Sequence, residues 1–345
     1  LKDTELSICI LGAYLFALLA RISEQDQIHR KGLFANLFRT VAWLFFFYSS
    51  AVRLNSLPLL IPLSWYLLAK DRERIFSWRM GLMILAVIST SFWAVQIFDY
   101  RFLKSEKDHH FQACEIFDIV GIFTRTGDED VIPKYWKEMN QDVSPRTLLL
   151  NYQPQSLNSL IYTGLVRMTG DSNRLDELNR QWFVAIRRHP RAYLEHRWDA
   201  FRELLRLGEE KSYLPFQLEV YENRLGLKYE GDSRLKAFLE VYFSAFQNTP
   251  IFKGWPYMLA LLLVLIAHGL VKFPATPFKL ASLCSALSAF FYGAGYFFYS
   301  LSSDFRFWYP VVTLSVFSIV LYWKGHKKAG EPLTLQTLSS TSPKT

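Results

Sequence analysis

Apolar residues gather at the two ends of this chain and thin out between them. Segments 6–22, 37–52, 57–68 and 78–98 carry few or no charges, and so do 255–271, 278–301 and 307–323. Most approach the roughly 20 residues that an α-helix needs to cross a hydrocarbon core of about 30 Å. The segment 57–68 is shorter and holds Pro58 and Pro62, so it is expected to re-enter the bilayer or to borrow length from its flanks. Residues 99–250 have no such run. Their apolar positions recur at helical spacing over 175–186, 193–207 and 235–246. Pro133, Pro145, Pro154, Pro190, Pro215 and Pro250 punctuate that pattern, with caps expected at Asp171 or Ser172 and at Asp232 or Ser233. No stretch alternates long enough to argue a strand. The expected fold class is all-α: a polytopic helical membrane protein of about seven spans holding a helical extracytoplasmic domain. The expected division is a membrane bundle over 1–98, the polar domain over 99–250, a second bundle over 251–325 and a disordered cytoplasmic tail over 326–345.

Charge changes this picture by giving it a direction. The net charge is +8, yet residues 99–250 hold 21 basic against 23 acidic residues, which leaves 18 against 8 elsewhere. A near-neutral polar block on a basic apolar portion fits positive cytoplasmic loops and argues against a nucleic-acid partner. Arg21, Arg30, Lys31 and Arg39 mark the first connection, Lys70, Arg72, Arg74 and Arg79 the third, and Lys272 and Lys279 the fifth, with Lys324, Lys327 and Lys328 in the tail. The alternate connections have only Lys2, Arg53 and Arg306. The bias puts the tail in the cytoplasm and Leu1 and block 99–250 outside, in a multi-pass protein of the cell inner (plasma) membrane.

Candidate chemistry follows from that orientation. Lys2, Asp3, Arg53, Asn55, Ser303, Asp304 and Arg306 all fall at the outer face. Guanidinium forks suit phosphate, and carboxylates accept from sugar hydroxyls. The opposing reading is that each snorkels to the interface or pairs locally. Glu115 and Asp118, three apart on an apolar helix, are either a general-base or cation-binding pair or one solvated helix face. His109-His110 read as an exposed loop without further metal ligands in view. The Arg187-Arg188-His189-Pro190-Arg191 cluster could meet lipid phosphate or an anionic glycan, or pair with Glu195, Asp199 and Glu203. Tyr135, Trp136, Trp182 and Trp198 suit stacking on sugars or a place in the core. The three cysteines form no framework, and no spacing suggests a metal site. Gly293 and Gly295 read as packing positions in an apolar helix.

Several short motifs carry a resemblance. LKDTELSICILGAYLFALLA is a Lys-Asp-led span, AVRLNSLPLLIPL an Arg-x-Asn turn before a Pro-broken helix, and EIFDIVGI, RRHPRAYLEHR and SDFRFWYPVV belong to the outer domain and last outer loop. Together they resemble the C-terminal portion of bacterial GT-C type membrane glycosyltransferases. That resemblance implies sugar transfer from a polyprenyl-phosphate carrier to a cell-envelope glycan or protein acceptor. It also implies an acidic base in an outer loop upstream of Leu1, so that further spans are expected before it. Within this chain Asp3, Asp118 and Asp304 stand as candidate bases, and Lys2, Arg53, Asn55 and Arg306 as substrate-binding residues. Membrane lipids are expected partners. Arg groups or a divalent cation would stabilise the departing phosphate. The competing readings are a glycan polymerase or ligase, and a non-catalytic scaffold or export component of a glycan pathway. A transporter fits less well, since His268 and Gln96 are the only strongly polar residues inside a span.

Overall fold

The computed structural model describes residues 2–25, 31–69, 77–105, 109–208, 226, 233–270 and 276–326. Arg30, Lys70, Arg72, Arg74, Lys272, Pro215, Asp232 and the tail from residue 327 lie outside the described residues, as does the side chain of Lys31. Among the described residues every element is helical, save one isolated bridge between Ser156 and Ser302. The first apolar block forms α1 (Lys2–Gln25), α2 (Lys31–Val52), α3 (Leu57–Leu68) and α4 (Trp78–Ile97), the last running on through a wider turn over Phe98–Phe102. The polar block forms α5 (Gln112–Thr126), α6 (Lys134–Met139), α7 (Pro145–Asn151), α8 (Asn158–Tyr162), α9 (Ser172–Arg188), α10 (Pro190–Leu205) and α11 (Ser233–Phe246). The second apolar block forms α12 (Trp255–Leu270), α13 (Pro277–Tyr299) and α14 (Tyr309–His326).

All seven apolar segments are thus helices. Among the described residues four stretches are long and apolar enough to cross a membrane: Lys2–Glu24, Trp78–Phe102, Pro277–Tyr299 and Phe305–His326. Helix α2 has the length, but Asn36 and Arg39 dilute its first half, and α12 is shorter. Helix α3, with 12 residues, rises only about 18 Å. It is held at both ends instead. A 3₁₀ turn over Leu54–Ser56 leads into it, and Arg21 donates to the carbonyls of Tyr66 (2.5 Å) and Ala69 at its C-terminus. That guanidinium also lies 4.6 Å from the Tyr66 ring centre.

The two apolar blocks build one core. Tyr14 on α1 shares a 2.7 Å hydrogen bond with Ser288 on α13, whose hydroxyl donates to Leu59 O on α3 (2.6 Å). Gly293 lets α13 approach α12: a Cβ there would meet Met258 Sδ at 2.6 Å. Helix α4 stays peripheral, with only Met80 and Val95 buried, while Trp78, Leu85, Trp93 and Ile97 are exposed. A helix that is apolar all round and so little covered by protein is suited to lipid.

The polar block has its own core around Phe117, Phe123, Trp136, Leu148, Leu160 and Leu178. Asp171 caps α9, its Oδ1 accepting from Asn173 N (2.9 Å) and Arg174 N (3.4 Å), and Pro190 opens α10. Gly127, at φ +68°, closes α5 in the left-handed conformation that glycine adopts at least cost. This domain rests on the connection between α13 and α14. Leu157 N donates to Leu301 O (2.9 Å), Ser303 N to Gln155 O (2.9 Å), and the Trp308 indole to Leu204 O (2.9 Å).

Candidate functional site

The turn after α2 returns the chain to the start of α1, and this brings two of the sequence-predicted residues into direct contact. Arg53 Nη1 forms an ion pair with Asp3 Oδ1. Asp3 is buried, 7% exposed, in the first turn of α1, where the helix dipole favours a carboxylate. Asn55 follows on the same turn, and its Nδ2 donates to Tyr296 OH on α13 (3.4 Å). Tyr296 OH in turn shares a 2.8 Å hydrogen bond with Tyr292 OH, and Tyr299 OH donates to Tyr292 O (3.4 Å). These three tyrosines were not singled out from sequence. Their spacing of four and three on an apolar helix, next to two glycines, was the available signal.

Phe307 connects this cluster to the last predicted pair. Its ring stacks on Tyr296 at 5.2 Å and 23°. The Arg53 guanidinium lies 5.4 Å from the Phe307 centre and that of Arg306 lies 5.3 Å from it. Asp304 Oδ2 accepts from Ser302 Oγ (2.8 Å) and from Arg306 Nη2 (3.0 Å). Lys2 is exposed on the first turn of α1. Arg53 and Arg306 therefore face one aromatic ring, and Asp3 and Asp304 are their respective ion-pair partners.

Several polar atoms at this end of the bundle have no hydrogen-bond partner among the described residues. They are Asn55 Oδ1, Ser56 Oγ, Ser300 Oγ and Ser303 Oγ, all buried. Buried polar atoms are rarely left so unless water or a ligand serves them. A cavity of about 360 Å³ opens beside α1, lined by Thr4, Ser7, Ile8, Leu11, Phe305 and Tyr309 among others. Ser7 Oγ donates to Asp3 O (2.7 Å), so the cavity wall and the ion pair share one helical turn. Its lining is mostly apolar, which suits a hydrocarbon chain.

Asp118 lies elsewhere, in the core of the polar domain, and is 0% exposed. Arg197 grips it with two nitrogens, Nη2 donating to Oδ2 at 2.8 Å and Nε standing 2.6 Å from Oδ1. Trp182 Nε1 also donates to Oδ2 (2.8 Å), and His196 Nε2 lies 3.2 Å from Oδ1. Gly121 makes room for the His196 ring, which a Cβ there would strike. His196 Nδ1 shares a 2.8 Å hydrogen bond with Tyr152 OH. Burial holds the His196 pKa below the ordinary histidine value despite Asp118, and it raises that of Tyr152. Arg197 Nη1 donates to Ser300 O (3.0 Å), which ties this network to the end of α13.

Glu115 shares the Asp118 face, but that face is buried and not solvated. Its Oε1 has no hydrogen-bond partner among the described residues. Burial first, and the Asp118 charge second, push its pKa up to about 7. Three members of the basic cluster pair locally, and Arg187 is exposed. Arg188 pairs with Asp128 (3.1 Å) and Asp130 (3.4 Å), His189 with Asp128 (2.7 Å), and Arg191 with Glu195 (2.8 Å). Asp199 pairs with Arg125 at 2.5 Å. Tyr135 and Trp136 are core residues, Trp182 packs against that core, Trp198 is half exposed, and His109 and His110 are exposed. No group of metal ligands occurs among the described residues. Comparison with protein-family models, with curated proteins and with solved structures finds no match.

Proposed function

We propose that this protein is a membrane transferase that takes a sugar from a polyprenyl-phosphate carrier and passes it to a cell-envelope glycan or protein acceptor. In this reading all seven apolar helices span or enter the inner membrane, and residues 99–250 face the outside. The ends of the apolar helices support that arrangement. Arg21, Arg39, Arg79, Lys279 and Lys324 cluster at the end away from the polar domain, as the positive-inside bias requires. Lys2, Arg53 and Arg306 occupy the domain end.

The single observation that carries the reading is the Asp3–Arg53 ion pair beside an apolar cavity. A carrier phosphate can split that pair. Its anion takes the Arg53 guanidinium, with Arg306 also against Phe307, while its hydrocarbon chain enters the cavity. Asn55 is left to bind sugar hydroxyls. The Asp3 carboxylate, released from Arg53, then accepts the acceptor hydroxyl proton as that oxygen bonds to the anomeric carbon. The bond from the anomeric carbon to the phosphate oxygen breaks, that oxygen keeps the electron pair, and the two guanidinium groups stabilise the departing phosphate anion. A divalent cation could share that last task.

The test is turnover of a radiolabelled hexose on undecaprenyl phosphate in proteoliposomes. Arg53→Ala is expected to stay folded and lose turnover by about 10²–10³-fold, the usual effect of removing one charge-stabilising donor. Unchanged product formation, or none by the wild type across a panel of carrier-linked sugars, removes the transferase reading and favours a scaffold.

A further inference from the structure

Helix α11 closes the polar block in sequence, yet it packs on the apolar bundle. Its inward residue is Phe243, whose ring lies 5.3 Å from Phe252, which lies 5.3 Å from Phe305 at the start of the last apolar stretch. Arg206 Nη1 fixes the same junction, donating to Gln247 O and Phe252 O (3.3 Å each). The helix is thereby held level with the ends of α12 and α14.

Most of its outward residues are apolar; Val241, 70% exposed, stands apart, and five others share one side. Leu235, Phe238, Leu239, Tyr242 and Phe246 are 54%, 64%, 37%, 39% and 38% exposed. At 100° per residue they fall within an arc of about 100°. Lys236 and Glu240, 3.8 Å apart, lie to one side of that arc with Ser244 and Gln247. Five large apolar side chains in one stripe make a contact surface and not an ordinary solvated face.

We infer that α11 lies in the plane of the bilayer, with this stripe buried at the boundary between headgroups and acyl chains. Continuity selects lipid as the occupant. Eight residues separate Phe246 from Trp255, where α12 begins, and α12 exposes Leu259, Leu262, Leu263 and Ile266 in the belt that meets hydrocarbon. Three of the five stripe residues are aromatic, the composition of an interfacial band. Ile251, Tyr257 and Phe305 line the cavity and adjoin the Phe243–Phe252 contact, so the helix flanks the cavity's rim. This inference does not depend on the transferase reading.

Spin labels on single introduced cysteines test it, in the full chain within phosphatidylcholine–phosphatidylglycerol vesicles. The native Cys9, Cys114 and Cys284 are buried, so the unsubstituted chain supplies the background. Labels at 235, 239, 242 and 246 should collide with oxygen several-fold more often, relative to a water-soluble nickel chelate, than labels at the exposed positions 237, 241 and 244 on the opposite side. The ratio should oscillate with the 3.6-residue helical period. Equal access of the chelate to both faces overturns the inference. So does protection of the stripe from both reagents, which marks contact with a second copy of the chain.

Discussion

Among the described residues two buried aspartates, Asp118 and Asp3, each face an arginine, and the two pairs are built differently. Asp118 meets Arg197 through both guanidinium nitrogens and also receives Trp182, while the spare arm of Arg197 reaches Ser300 O. Both residues are within 1% of full burial. Asp3 meets Arg53 through one contact, the arginine side chain is 24% exposed, and unpartnered polar atoms and a cavity lie nearby. A carboxylate held by three side chains inside a packed core is poorly placed to exchange them for a ligand. A pair with spare valence can be exchanged for a ligand. The contrast is one of satisfaction and not of charge, and it directs the transferase reading away from Asp118.

The largest expected effect breaks the closed pair. Arg197→Met leaves Asp118 charged in a packed core, which should cost about 3–5 kcal/mol. Thermal unfolding in detergent should show it, and Asp118→Asn combined with Arg197→Met should recover much of the loss. Arg53→Met should cost less, about 1–3 kcal/mol, because the Asp3 carboxylate it strands sits in the first turn of α1, where the helix dipole favours it. Equal losses at the two arginines would erase the distinction.

A smaller effect concerns Glu115, which shares the closed face without a partner. Its folded pKa of about 7 lies above the unfolded carboxylate value of 4.5. Between these values the folded state keeps a proton that the unfolded chain releases, so stability falls as pH rises through this window and levels off above it. Glu115→Gln removes the titration. The variant should match the wild type near pH 4 and exceed it by up to about 3 kcal/mol at pH 8, because each tenfold difference in proton affinity is worth about 1.4 kcal/mol. A pH-independent difference in unfolding would show that Glu115 has found a counter-charge.

The helices themselves were legible because hydrophobic runs and prolines fix their extent from local sequence. The Asp171 cap, Pro190 at the start of α10 and the seven apolar segments all follow from neighbours within a few residues. What could not be read was which faces meet. The Glu115–Asp118 face was ambiguous because the partner that buries it, Arg197, is 79 residues away. The run Ile116, Phe117, Asp118, Ile119, Val120 did hold a clue, since a carboxylate with apolar neighbours on all sides needs a buried cation. Helix α11 read as part of the polar domain, because its placement depends on the long-range contact of Phe243 with Phe252. Of the candidate site, the grouping of Asp3, Arg53 and Asn55 at one end followed from span alternation, whereas the three tyrosines of α13 came only with tertiary packing.

The smallest effect on stability belongs to Asp304, and there it separates holding from chemistry. Its carboxylate takes Arg306 at 3.0 Å, but the Arg306 side chain is 58% exposed, and such a pair contributes about 0–1 kcal/mol. Asp304→Asn should leave the unfolding midpoint nearly unchanged. Arg306 would still face Phe307, from which its guanidinium is 5.3 Å. If Asp3 is the base and Asp304 only steadies Arg306, Asp304→Asn should keep turnover within about threefold, while Asp3→Asn loses about 10²-fold or more. The reverse ranking would move the base to the α13–α14 connection and leave Asp3 as the counter-ion of Arg53. Both substitutions are isosteric, so neither result can be ascribed to a cavity or a lost contact surface. What differs is the ability to take a proton or hold a charge, and one accepting oxygen becomes a donating amide nitrogen.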